Sequence, residues 1–219
     1  MEHLVAGEIL MCKNKGFSLE AFIFFMIVAI AAYFLFFRDS EKKWPPGVLV
    51  DSAPTQINLE SSKVLDLKDY TIVTKADFKA TARVLSAKRY RYDDGADLVP
   101  VDLALGWLEM SDQSVLNELK ISQSKRFFFW KTRGNDLPVQ RDKIEHNSAN
   151  MHMIPSTEEI ERTLKVIERG DIISFEGHLV DISHKNGFSR FTSMTRNDTG
   201  PGACEIVYLT SLNIDKAPY

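Results

Sequence analysis

The feature that most constrains this chain is the uncharged run Ala21 to Phe37, AFIFFMIVAIAAYFLFF, which charge closes at Arg38-Asp39-Ser40-Glu41-Lys42-Lys43. A helix on the surface of a globular core keeps a polar face at helical period, and this segment has none. At about 1.5 Å per residue it covers on the order of 25 Å, and Phe17 to Leu19 can lengthen it. The expectation is a transmembrane helix over 21–37, after a short N-terminal tail, 1–20. A cleaved signal peptide needs a shorter apolar core and a small-x-small site, whereas this run ends in Phe34-Leu35-Phe36-Phe37. A retained signal anchor fits better. Trp44-Pro45-Pro46-Gly47 then stops any helix. Lys13 and Lys15 precede the run, and Arg38, Lys42 and Lys43 follow it, so basic residues do not fix its orientation. A short tail before one span is the layout of a signal anchor. On that ground the sequence reads as a single-pass protein of a bacterial inner membrane, with its C-terminal domain outside the cytoplasm.

The 219 residues leave room for one ordinary domain besides such an anchor. Net charge is −3, which gives no electrostatic case for nucleic acid as a partner. Cys12 and Cys204 fall on opposite sides of the apolar run, so a disulfide within the chain is not expected and the domain must rest on core burial. Residues 38–62, with Pro54, Ser61 and Ser62, read as a tether with short extended pieces, Gly47 to Val50 among them. Residues 63–219 read as the folded domain.

Within that domain the pattern is strand-like from Tyr70. Phe78, Ala80, Ala82 and Val84 alternate with Lys79, Thr81 and Arg83, the period of a half-buried strand. Asp112 to Ile121 reads as a helix with Val115, Leu116 and Leu119 on one face, and Arg126 to Trp130 as a buried strand. Ser156-Thr157-Glu158-Glu159 has the form of a capping box opening a helix with Ile160, Leu164 and Ile167 on one face. Asp171 to Ile182 is a long strand with Gly177 as its bend, and 188–194 and 205–212 supply two more. Strands around a helix, with a central glycine bend, indicate α+β: a mostly β domain with two or three helices. A small curved barrel of the oligonucleotide/oligosaccharide-binding type is one form it can take.

Three segments can carry chemistry. In Glu145 to His152 two histidines, His146 and His152, fall on the same side of an extended strand. Their spacing matches no zinc motif, so no metal is assigned and no motif calls for a cofactor. Cys204 follows the turn Asn197-Asp198-Thr199-Gly200-Pro201-Gly202-Ala203, which also contains a glycosylation sequon. A turn that delivers a thiol to a strand start can present a nucleophile, with a histidine as base and Asp102 or Asp112 as the orienting acid. The opposing reading is that Cys204 packs as a small hydrophobe. Trp107, Asn150 and Asp112 are candidates for binding, although Asp112 also suits a helix N-cap. Tyr90 and Tyr92 beside Arg89 and Arg91, with Trp107 and Trp130, can form a stacking platform.

Gly106-Trp107 with Met110-Ser111-Asp112, His146 through Pro155, and Thr199-Gly200 with Gly202-Ala203-Cys204-Glu205 together resemble an uncharacterised group of bacterial single-span membrane-anchored proteins. The likeness covers most of the domain and implies a shared fold but no activity; His146-Asn147-Ser148 stands where that group has His-Ser. Separately, Lys15-Gly16-Phe17-Ser18-Leu19-Glu20 resembles a type IV prepilin leader, which implies cleavage after Gly16. There Glu20 is the fourth residue after the glycine, where that family has its glutamate fifth. The first expectation for function is a membrane-tethered domain that binds a protein or an envelope component. The second is a hydrolase or transferase using His146, His152 and Cys204, and the third a pilin-like subunit.

Overall fold

The computed structural model describes residues 18–36 (side chains through Tyr33), 42–93, 95–195 and 203–215. Cys12, the basic leader with Gly16, and the sequon turn from Asn197 to Gly202 lie outside the described residues. The chain divides into two compact units, Met1–Asp39 and Ser40–Tyr219.

In the first unit, α1 (Leu19–Phe36) is helical, as the apolar run predicts. Among the described residues, however, no helix is long and apolar enough to cross a membrane. This overturns the transmembrane span, the single-pass signal anchor and the inner-membrane location.

The second unit begins well before residue 63. The Trp44 indole donates to the Gly170 carbonyl at 2.7 Å, and the Leu49 and Val50 amides both donate to Ser111 Oγ at 3.0 Å. The stretch expected to be a tether is thus stitched onto the domain, and Gly47 to Val50 forms no strand.

In chain order the strands are β1 (Thr55–Asn58), β2 (Val64–Leu67), β3 (Tyr70–Arg89), β4 (Val101–Gly106), β5 (Leu119–Ser124), β6 (Phe127–Thr132), β7 (Ser148–Pro155), β8 (Ile172–His184), β9 (Ser189–Arg190) and β10 (Glu205–Asp215). The helices of this unit are α2 (Gln113–Asn117), α3 (Arg141–His146) and α4 (Glu158–Val166). The domain is α+β and mostly β. Strands β3, β4, β7, β10 and β8 pair in that order, and β8 returns to β3, so the sheet closes on itself. The β7–β10 pair is parallel and the other ring pairs are antiparallel. A single long β3 can edge both neighbours because its register shifts at Thr74/Ala76 against β8 and at Val84/Ser86 against β4, and such irregularities bend a strand.

Gly177 marks another bend. It lies opposite Leu209, where β10 shifts register, and a Cβ at this position would stand 2.2 Å from the Tyr208 carbonyl oxygen. Backbone oxygen in a ladder cannot step aside, so we expect Gly177→Ala to lose about 1–3 kcal/mol, read by urea unfolding.

Strand alternation sorts the ring into two faces. Val101, Leu103, Leu105, Met151, Met153, Val207 and Leu209 point into the main core with Phe78, Phe175 and Leu179. The intervening residues Asp102, Ala104, Asn150, His152, Ile154 and Ile206 point outward. There they meet two smaller cores, one around Ile72, Leu98 and Val99, the other around Leu85, Met110 and Ile144. The functional groups described below belong to this outer face.

Several local expectations change. Only Gln113–Asn117 of the region from Asp112 to Ile121 is helical, because Leu119 onward is drawn into the β5–β6 hairpin. Phe127 to Thr132 is a strand but not a buried one, since it belongs to this separate two-stranded sheet. The cap of α4 is Thr157, one residue later than the capping box implied, its hydroxyl accepting from the Ile160 amide at 3.2 Å.

Candidate active site

Strands β4 and β7 place Asp102 directly opposite His152. His152 Nδ1 lies 2.8 Å from Asp102 Oδ1, with Asp102 fully buried and His152 only 8% exposed. On the other side of β7, the parallel partner β10 sets Ile206 beside His152 and Glu205 beside Met151. This sets Cys204, the residue just before β10, beside Asn150, with Sγ 3.8 Å from its Nδ2, and near enough to His152 to act on the charge of the imidazole. Nδ1 is thus taken by the carboxylate. The start of β10 is fixed by the Ser193 amide, which donates to the Cys204 carbonyl at 3.1 Å, and by the Ile206 amide, which donates to Thr192 Oγ1 at 3.0 Å. Cys204 itself is half-buried.

The electrostatics of His152 reflect these neighbours. Burial alone pushes an imidazole towards neutrality, but hydrogen bonds and charge from Asp102 and Cys204 outweigh it and hold the pKa up at about 9. Tyr90, near the same carboxylate, moves in the same direction for a different reason. Burial and the Asp102 charge both disfavour its phenolate and raise it to about 12, so it keeps its proton.

Arg126 joins this cluster. Arg126 Nη1 donates to Asp102 Oδ1 at 3.1 Å, its Nε to Asp93 at 2.8 Å, and its guanidinium lies 4.0 Å from the centroid of the Tyr90 ring. Arg126 reaches this position from the tip of the β5–β6 hairpin. Both tip residues, Lys125 (φ 49°) and Arg126 (φ 64°), are left-handed, which suits a two-residue hairpin turn. Neither is glycine, and the left-handed backbone costs each about 1–2 kcal/mol. The contacts of Arg126 hold the tip in that shape. From the same hairpin, Gln123 Nε2 donates to Asn150 Oδ1 at 2.7 Å. Asn150 Nδ2 donates to the Arg126 carbonyl at 3.1 Å and stands 3.8 Å from Cys204 Sγ.

Of the candidates read from sequence, His152, Cys204, Asn150 and Asp102 therefore converge. His146 does not: it ends α3, exposed, because Asn147 closes that helix before β7 begins, so the two histidines never share a strand. Trp107 is 1% exposed within the main core and offers no face to a ligand. Asp112 caps α2, accepting from the Ser114 amide at 2.8 Å and the Gly47 amide at 3.0 Å. Burial pushes its carboxyl up, but these donors and Arg83 prevail and leave it below the usual carboxylate range. Tyr92 stands in solvent, apart from the buried Trp107, so the aromatic platform does not assemble. Sequence reasoning missed Arg126 and Gln123, because a left-handed turn at Lys125-Arg126 carries no glycine or asparagine to announce it. Among the described residues no cluster of His, Cys, Asp and Glu is arranged to hold a metal ion. No family model matches the chain, and neither does any curated protein or solved structure.

Proposed function

We propose that the domain is a cysteine-dependent acyl-transfer enzyme, a hydrolase or transferase, with Cys204 as nucleophile, His152 as base and Asp102 as orienting acid. The observation that carries this reading is a buried carboxylate bonded to an imidazole, with a half-buried thiol brought to the same face by the neighbouring parallel strand. Nucleophile, base and orienter within mutual reach is the geometry that such chemistry requires. A role in stability alone accounts for it less well. A buried ion pair pays heavily in lost hydration, and apolar side chains of similar volume would serve the fold as well or better.

In this reaction His152, which its neighbours hold in the protonated form with a pKa of about 9, already carries the proton given up by Cys204 when Sγ bonds to the acyl carbon. Collapse of the adduct breaks the bond to the leaving group, which receives that proton, and leaves a thioester on Cys204. Water or an acceptor nucleophile then attacks the thioester, releases the acyl group and restores the thiol.

The closed ring, its one parallel pair and the helix α4 between β7 and β8 support a barrel of the oligonucleotide/oligosaccharide-binding type. That likeness assigns no activity. One feature favours binding as a second reading: a cavity of about 520 Å³ lined by Phe129, Trp130, Leu137, Arg141 and Glu145. It is formed by β6 and the segment that follows, without Cys204 among its walls.

The test is acyl transfer from p-nitrophenyl acetate, followed by nitrophenolate release and by peptide mass. The parent protein is expected to acquire one acetyl group on Cys204. Cys204→Ala should abolish this, and His152→Ala should slow it by at least about 10²-fold. Equal rates in all three proteins would refute the assignment.

A further inference from the structure

The inference concerns the oxyanion that any such acyl transfer must create, and it rests on the reading just given. We propose that Asn150 is a catalytic residue whose side-chain N–H binds the oxyanion formed at Cys204, and that the β5–β6 hairpin is the positioning device that aims it.

The orientation of the amide is fixed by groups that can act in one way only. Backbone carbonyls accept and never donate. The Arg126 carbonyl therefore identifies its 3.1 Å partner as the Asn150 nitrogen. The Asp102 carbonyl, 3.4 Å from the Gln123 amide, identifies that group as the Gln123 nitrogen. Gln123 then donates to Asn150 Oδ1 at 2.7 Å, so both ends of the Asn150 amide are assigned. Of its two N–H bonds, one is used on Arg126. The other is on the side of the thiol, with the nitrogen 3.8 Å from Sγ.

That separation is long for a hydrogen bond to sulfur and suitable for what attack produces. The oxyanion sits one bond beyond the carbon attached to sulfur, where a donor of this kind comes within about 3 Å of it. A donor held in advance needs no reorganisation when charge develops. The strained, non-glycine turn also finds its use here, because it lets one residue serve two groups: its guanidinium donates to Asp102 while its carbonyl holds Asn150. Strain of this sort concentrates at working sites.

The test separates this claim from the triad itself. Full-length parent, Asn150→Ala and Gln123→Ala proteins are compared for acetylation of Cys204 by p-nitrophenyl acetate and for alkylation of Cys204 by iodoacetamide. Alkylation needs the thiol and no oxyanion, so it also reports whether a variant has kept its site. We expect Asn150→Ala to lower acetylation about 10²–10³-fold and alkylation no more than about threefold. Gln123→Ala, which leaves the amide present but unaimed, should lower acetylation about tenfold. If Asn150→Ala acetylates within about threefold of the parent, the inference is overturned while the triad stands. Parallel loss of both reactions would mark Asn150 as a structural support, which also overturns it. A parent protein that never acetylates Cys204 overturns the triad reading, and this inference with it.

Discussion

Asp102→Asn is expected to lower acyl transfer by about 10³-fold, measured as initial rates on p-nitrophenyl acetate. The amide retains the shape of the carboxylate and can still accept from His152, so geometry is not what is lost. Charge is lost. With the carboxylate gone, His152 loses the charge that favours its imidazolium, while burial, the largest single influence, still opposes that form. The fold should survive, because Arg126 keeps Asp93 at 2.8 Å and the Val99 carbonyl at 3.2 Å and is not left as an unpaired buried charge. Circular dichroism of the variant checks this. A variant that turned over at the parent rate would remove Asp102 from the mechanism.

Trp107→Ala should cost about 3–5 kcal/mol in urea unfolding, the usual loss for removing a large buried aromatic side chain. Trp107 is one of the largest fully buried side chains of the main core, and its backbone N–H donates to the Asn147 carbonyl at 3.0 Å, just ahead of β7. If the ring served a ligand, its removal would instead weaken binding and spare stability. The acetylation rate per folded molecule is expected to stay within about twofold of the parent, since Trp107 faces the side of the sheet opposite His152.

What could be read from the sequence followed from how far apart the contacting residues lie. The long strand β3 and the glycine bend of β8 announced themselves through alternation and composition, which are local properties. Asp112 as an N-cap was legible for the same reason. Asp102, His152 and Cys204 were each noticed, but nothing local linked them. They meet only because β7 lies between an antiparallel partner and a parallel one, and that arrangement is a property of ring closure. His146 misled because two histidines six positions apart suggest one strand, and the break at Asn147 is not signalled by glycine or proline. Leu19 to Phe36 is helical as its apolar composition implies, but composition alone does not make a membrane span: among the described residues no helix is long and apolar enough for one.

The most direct measurement of the central claim is an NMR titration of the His152 imidazole in the parent protein and in Cys204→Ala. A hydrogen-bonded unit of carboxylate, imidazole and thiol predicts a midpoint near 9 in the parent, with the ring protonated throughout the neutral range. It predicts a lower midpoint once the thiol is gone. A parent midpoint at or below the ordinary 6.5, unchanged by the loss of Cys204, would mean that the three groups do not act together.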